Sequence, residues 1–477
     1  MKDFLMFNDT LACPKLDLAP QLPKKARPDQ HARVLFSNQV DHLEDHQLSP
    51  ERCSLVHVPL WGGRVAVYSK TMVNACVALP SGFSAGLSRT SGTDGPLLSR
   101  ADFLGSVTRH LRALHQLKGC FVDSAAEAFR MVHGDADGLP GIVVDSYPNA
   151  RPGSSPGSGS SLLVVQSSSP VGDFLLATVT SALKELFPEA VLFERSTGQG
   201  RKLLGLEERI QAITGVAAEV METRFCNLNL RFKPGACQKT GLFLDQRANL
   251  MQLRDLIGSG SFWGGKSNPS DQHKRPLRVL DLCSYAGAWS ALIANSAGFA
   301  NMEMTLVDQD PMALELAADN VRQNAKASSV IVKTACTDVF AFLSDRARTL
   351  RDSSQARADG PAEAALLFDI VIADPPAFAK SRKNVPEARR AYARLNRLVM
   401  TLVAPGGLLV TCSCSRNIEA AEFRLLVEDQ LVADHRLKQM EWIHLGAGKQ
   451  SLDHPIPVGR GVSDYLKCQF YQLRSLE

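Results

Sequence analysis

The sequence predicts an α/β protein whose C-terminal half is a doubly wound parallel sheet, preceded by a small β-rich module and an α+β segment. Three observations carry that expectation. From residue 278 onward, apolar runs of strand length alternate with amphipathic helical stretches, the pattern of consecutive βα units. The runs end in acidic or small polar residues (Asp281, Asp308, Asp338, Asp374 and Ser413-Cys414-Ser415), and in such a sheet the strand C-termini line one edge, where ligands bind. With 477 residues the chain is too long for one core, so more than one domain is expected.

Composition narrows the class. At 45% hydrophobic and 21% charged the chain is an ordinary globular protein. Its net charge of +4 permits an acidic partner such as RNA without demanding one. The 11 cysteines include no CxxC pair and no Cys/His set at zinc spacing, which points to reduced intracellular thiols and to no metal. No run approaches the roughly 18 apolar residues of a membrane span. Asp3 and Asp9 sit where a signal or transit peptide would avoid acids. A cytoplasmic protein that does not enter the membrane is expected, with a mitochondrial one as the alternative.

Taken in order, residues 1–24 are a leader with Pro14, Pro20 and Pro23 and no steady period. Residues 25–98 show short β-like runs at 33–36, 54–60 and 65–68, with Gly62-Gly63 as a turn. Residues 99–230 open with a helix over 99–118, where Phe103, Val107, Leu111 and Leu114 share one face. Strands near 128–133, 141–147, 162–166 and 191–194 follow, with a crossover helix at 174–186. The polar tracts 148–161, 258–276 and 346–363 cannot bury much apolar area and are expected to be disordered insertions. Within the last domain, 231–477, strands are expected at 278–283, 303–308, 329–335, 368–373, 407–412, 438–445 and 465–474. Helices fall at 288–297, 311–324, 338–345, 386–403 and 418–431, and the last strand reads as an antiparallel edge.

The strand-end landmarks resemble, in their order, those of a class I S-adenosylmethionine-dependent methyltransferase. Gly287 opens the first helix and lets backbone approach a cofactor closely, with Ser284 in the same turn. Asp281 can receive the cofactor's ammonium, directly or through water. Asp308 ends the second strand about twenty residues past the glycine, where an acid holds ribose hydroxyls. Asp338 can meet the adenine amine or cap the helix at 338–345, and the two roles are compatible. Asp374-Pro375-Pro376 then faces an acceptor base, its prolines fixing the backbone past the strand. Period-two geometry puts Cys412 and Cys414 on one face, Cys414 nearer the cleft. A thiolate there can activate carbon-5 of a pyrimidine by adding to carbon-6; the alternative is a small buried hydrophobe. The run Lys380, Arg382, Lys383, Arg389, Arg390, Arg394 and Arg397 reads as a phosphate track beside a flipped base or as a solvated helix face, with Phe378 and Tyr392 the nearest aromatics.

Further motifs make the chain resemble the RlmI-type family of ribosomal RNA 5-methylcytosine methyltransferases. These are Lys239-Thr240-Gly241-Leu242-Phe243-Leu244-Asp245-Gln246-Arg247, similar to the family's KTG-x-x-LDQR, and Gly134-Asp135-Ala136-Asp137-Gly138-Leu139-Pro140-Gly141, similar to its GDxDGLPG. Arg195-Ser196, Tyr392 with Asn396, and Asp453-His454-Pro455 also fit. The resemblance implies a Rossmann-like seven-stranded class I methyltransferase domain behind a PUA-like RNA-binding module and a central α+β domain. It also implies S-adenosylmethionine as cofactor, RNA as partner, a homodimer as one assembly, and Lys239, Gln246 and Arg247 as contacts to the cofactor's carboxylate and ribose.

The chain departs from the family pattern at three points. Gly287-Ala288 stands where Gly-Gly is usual, Ala377 replaces a lysine after Asp-Pro-Pro, and Val458-Gly459-Arg460-Gly461 replaces a Pro-Glu before Tyr465-Leu466-Lys467. With that glutamate missing, Asp464 or water takes the general-base role. Two other activities compete with cytosine-C5 methylation: N-methylation of an RNA base organised by Asp374, and RNA binding or ribosome assembly by a methyltransferase that has lost its chemistry.

Overall fold

The computed structural model describes residues 10–12, 34–35, 39–40, 44, 53–58, 64–70, 72, 76–80, 83, 97–148, 161–217, 219–236, 240–258, 275–296, 299–355, 366–379, 381–433, 437, 440–457 and 464–474. Lys239, Lys380, Gly62-Gly63 and nearly all of the tracts 148–161 and 258–276 lie outside them. The chain forms two compact units: Met1–Asn149, Ser154–Glu219 and Lys233–Gly241 make the first, and Ala150–Gly153, Val220–Phe232 and Leu242–Glu477 the second.

In the first unit, Val34–Leu35, Cys76–Ala78, Arg64–Ser69 and Cys53–Val58 form a four-stranded antiparallel sheet in that order. A second sheet runs Arg209–Thr214, Val191–Ser196, Leu162–Ser167, Ile142–Tyr147, Phe129–His133. Its one parallel pair, Leu162–Ser167 with Val191–Ser196, is joined by helix Pro170–Leu186 as a crossover. Helix Arg100–Gly119 starts at Ser99, whose hydroxyl accepts from the Asp102 N–H at 3.0 Å, and buries the predicted face of Phe103, Val107, Leu111 and Leu114. One core joins that face to Leu55, Val65 and Val67 of the small sheet and to Phe129, Val144 and Leu163 of the larger one. Inside the expected leader, Thr10–Ala12 is a strand paired with Leu97–Ser99.

The second unit begins with a hairpin, Met221–Phe225 and Leu228–Phe232, turned by Cys226 and Asn227 at φ 54° and 62°. Then come α1 (Arg247–Gly258), β1 (Leu277–Leu282), α2 (Ala288–Ala294), β2 (Asn301–Asp308), α3 (Pro311–Asn324), β3 (Ser329–Cys336) and α4 (Val339–Gln355). After them follow β4 (Phe368–Ala373), α5 (Val385–Met400), β5 (Val403–Ser413), α6 (Ala420–Ala433), β6 (Trp442–Lys449) and β7 (Lys467–Leu473). The sheet order is β3-β2-β1-β4-β5-β7-β6, with β1 to β5 parallel and β7 antiparallel to both its neighbours. Strand order reverses between β1 and β4, so the ligand crevice opens outside their carboxyl ends.

The central strands are apolar because both faces are covered. Val279, Leu280, Ile370 to Ala373 and Leu408 to Val410 have no exposed surface, and each fully buried aliphatic side chain is worth about 1.5–3 kcal/mol. Two expectations change. β7 is antiparallel as expected but lies inside the sheet, and β6 is the edge. Helix α4 runs to Gln355, well into the tract expected to be disordered, because Leu343 and Leu350 keep a buried stripe seven residues apart and Arg346 lies over the Phe342 and Phe368 rings.

Candidate active site

The turn after β1 holds the backbone in an unusual shape. Cys283, Tyr285 and Gly287 all have positive φ, at 59°, 46° and 71°, a region that side chains with a Cβ rarely adopt. Ser284 N–H donates to the Val307 carbonyl at 3.1 Å, and Gly287 N–H to the Ser284 carbonyl at 2.7 Å. Gly287 also sits against α3: a Cβ there would lie 2.9 Å from the Ala317 Cα and Cβ. The glycine thus serves helix packing as well as the turn. Gly287→Ala is expected to cost about 2–3 kcal/mol, the sum of a left-handed alanine and a backbone clash, and a denaturant titration would measure the loss.

Asp281, fully buried at the end of β1, accepts from the Ser290 hydroxyl at 2.7 Å through Oδ2. Among the described residues its Oδ1 has no hydrogen-bond partner, and neither does the buried Ser284 Oγ. Burial, then the neighbouring Asp374 and Asp308 charges, pushes the Asp281 carboxyl up to about 7. Orphaned buried oxygens are costly, and an ammonium arriving here would satisfy both. The residues present therefore fit the amino-acid end of S-adenosylmethionine. Asp308 accepts from Tyr285 N–H at 2.9 Å and Asp310 N–H at 3.1 Å, while each carboxylate oxygen keeps a further lone pair. Asp338 caps α4, accepting from Phe340 and Ala341 N–H at 2.9 and 3.0 Å, and its other oxygen takes the Gln309 amide at 3.0 Å.

Asp374 follows β4, its N–H reaching the Leu282 carbonyl at 3.3 Å. Its Oδ2 accepts from Gln246 Nε2 at 2.8 Å and from Trp289 Nε1 at 3.1 Å. Gln246 is held in turn by Asn249, whose amide donates to Gln246 Oε1 at 2.6 Å. Phe243 packs on Tyr285 of the β1 turn, ring centroids 4.8 Å apart, so the segment before α1 closes onto both the turn and Asp374. Arg247 places its guanidinium 4.8 Å over the Phe225 ring.

Strands β4 and β5 are parallel neighbours with Ala373 opposite Thr411, so the residues that follow each strand emerge side by side. The Cys414 thiol lies 3.8 Å from the Pro375 carbonyl oxygen. Cys414 is partly exposed; Cys412 is fully buried, and burial pushes its thiol well up. Ser415 fastens the turn: its hydroxyl accepts from Ala379 N–H at 3.1 Å and pairs with the Tyr392 hydroxyl at 2.9 Å. Lys467 Nζ donates to the Ser415 carbonyl at 2.6 Å.

The structure therefore brings Asp281, Ser284, Gly287, Asp308, Gln246, Asp374, Pro375 and Cys414 to one edge of the sheet. Tyr392 is in the core, its ring between Phe378 and Phe423. Phe378 is half-buried and Pro376 exposed. Arg382, Lys383, Arg389, Arg390, Arg394 and Arg397 are exposed along α5 and the turn before it; Arg389 pairs with Glu422 and Arg390 with Glu387. Sequence reasoning missed Trp289 and Asn249, and the roles of Ser415 and Lys467. Trp289 had a faint signal, an indole two residues past the turn glycine on a helix otherwise made of small and aliphatic residues.

No family model matches the chain. A protein of Methanocaldococcus jannaschii named as a ribosomal RNA large subunit methyltransferase, MJ1653, is 32% identical over 352 residues, 73% of this chain and 76% of that one. Ribosomal RNA large subunit methyltransferase I of Aeromonas salmonicida is 30% identical over 345 residues, 71% of this chain and 73% of its own. Among solved structures, a SAM-dependent methyltransferase from Streptococcus mutans has the same fold, with a TM-score of 0.61 at 17% identity over 96% of this chain and all of its own. The seven-stranded sheet is that of a class I methyltransferase, and S-adenosylmethionine is the cofactor. The chain belongs to the RlmI-type family of ribosomal RNA large subunit methyltransferases.

Proposed function

We propose that the protein methylates carbon-5 of a cytosine in ribosomal RNA, with Cys414 as nucleophile. The observation that carries this reading is the approach of the Cys414 thiol to the Asp374-Pro375-Pro376 loop, 3.8 Å from the Pro375 carbonyl. Ribosomal RNA as substrate rests on the relatives' names. Asp281, Ser284, Gly287, Asp308 and Asp338 hold the cofactor, helped by Gln246 and Arg247. When bound, S-adenosylmethionine supplies an electrophilic methyl group on a sulfonium.

The protein's part is to make a poor carbon nucleophile reactive. The Cys414 thiolate adds to carbon-6, and the ring's π pair makes carbon-5 enamine-like. Once carbon-5 carries the methyl, Asp464 or water removes its proton, the double bond re-forms and the thiolate leaves. Asp374, clasped by Gln246 and Trp289, orients the base. Digestion of ribosomal RNA labelled by the protein with tritiated S-adenosylmethionine should give label in 5-methylcytidine. Label in an N-methylated base would overturn the reading and move the chemistry to Asp374; methyl-donor binding with no label on any RNA would favour a binding protein.

By the same resemblance residues 25–98 form a PUA-like RNA-binding module. The exposed cations of α5 serve as a phosphate track. Arg382→Ala with Lys383→Ala should lower RNA affinity for all sequences alike and reduce the slope of log K against log salt by about 2. An unchanged slope in a salt-dependent binding titration would remove these residues from the interface.

A further inference from the structure

Lys467 begins β7 opposite Ser413, the last residue of β5. Lys467 is 2% exposed, yet among the described residues its Nζ reaches two neutral acceptors, the carbonyls of Ser415 at 2.6 Å and Tyr465 at 3.0 Å. Among the described residues no carboxylate lies within ion-pair distance of it. Burying an ammonium without a counter-charge is costly, and a structural tie between two carbonyls needs only an uncharged donor. The choice of lysine calls for an anion nearby.

Nζ bonds the residue that follows Cys414, and three ionisable groups act on its charge: Asp464 from the segment before β7, Cys414 just past β5 and Glu422 from α6. Glu422 is committed to Arg389, and Asp464 is exposed to water. From α5 the Tyr392 hydroxyl bonds Ser415, and burial pushes it up to about 12, so it stays neutral. Cys414 is then the partner whose ionisation the buried ammonium can best favour, since an adjacent cation lowers a thiol's pKa. Burial lowers Lys467 to about 8, so the charge is present at neutral pH and lost as pH rises through that value.

We propose that Lys467 is the positioning residue for Cys414: it fixes the turn that carries the thiol and supplies the positive charge that favours its thiolate. The place of this pair in catalysis rests on the reading of Cys414 as nucleophile; the pairing itself does not. Alkylation of the full-length folded protein with iodoacetamide tests it, with the rate at Cys414 followed by peptide mass spectrometry from about pH 6 to 10. Lys467→Gln keeps a donor for the two carbonyls and removes the charge; Lys467→Arg keeps the charge. The expected result is an alkylation rate at pH 7 about tenfold lower in Lys467→Gln, with the pH profile displaced upward, and a near wild-type profile in Lys467→Arg. A wild-type profile in folded Lys467→Gln would overturn the proposal, as would equal displacement in both variants, the mark of a merely structural lysine. If the Gln variant does not fold, the wild-type profile decides: an apparent pKa for Cys414 at or above the ordinary thiol value would overturn the pairing. The assay uses neither RNA nor methyl donor, so failure of the methylation reading leaves this result legible.

Discussion

Cys414→Ala should abolish RNA methylation, by at least about three orders of magnitude, while methyl-donor binding stays near wild type. Carbon-5 of cytosine has no lone pair to offer, and without an adduct at carbon-6 nothing in the site makes it nucleophilic. The side chain lies at the turn after β5 and is partly exposed, so its loss leaves the core strands untouched. Cys412→Ala is the matched control: it removes a fully buried sulfur from the same strand and should cost about 1 kcal/mol of stability with chemistry intact. A second readout uses RNA containing 5-fluorocytidine. The fluorine cannot leave as a cation, so a covalent protein–RNA complex should accumulate with the wild-type protein and be absent with Cys414→Ala. Methylation that survives Cys414→Ala would end the covalent mechanism.

Affinity for S-adenosylmethionine should fall about tenfold between pH 8 and pH 6. The free protein carries Asp281 with its carboxyl raised to about 7 by burial, whereas an ammonium beside Oδ1 requires the carboxylate. Below pH 7 binding must first expel a proton, and each further unit costs a factor of ten. Asp281→Asn should weaken binding about ten- to a hundredfold at pH 8 and flatten the pH profile; calorimetric titration at the two pH values checks both. A profile equally steep in Asp281→Asn would assign the proton elsewhere. The same shift acts on stability with a definite sign. Between the ordinary value of 3.8 and about 7 the folded protein holds a proton that the unfolded chain has released. Stability therefore falls as pH rises through that window and is flat above it, and bound cofactor should reverse part of the loss.

Much of this was legible in the sequence, for physical reasons that also mark the limit. The central parallel strands carry buried apolar runs because helices cover both faces, so their places and their terminal acids stood out. β7 did not read as an interior strand because Lys467, Gln469 and Gln472 interrupt its apolar run; Gln469 instead pairs with His444 across the ladder at 2.8 Å. The second half of α4 was obscured by its charged composition, since two leucines seven residues apart are a faint stripe. At the site, acids at strand ends announced themselves one strand at a time. The clasp on Asp374 could not, because Gln246 and Trp289 lie 128 and 85 residues from it and meet only in the fold. Gln246, expected as a contact to the cofactor, also reaches Asp374 in the fold.

The position of β7 bears on when the site comes into being during synthesis. β5 ends at Ser413, just before the proposed nucleophile, and its second neighbour in the sheet is a strand that begins 54 residues later in the chain, at Lys467. A growing chain that has emerged only through Ser415 thus presents Cys414 at the end of an open edge strand, without the lysine that holds the Ser415 carbonyl or the tyrosine that bonds Asp245. The thiol takes its final surroundings only after Leu473 has emerged and β7 has slotted in between β5 and β6.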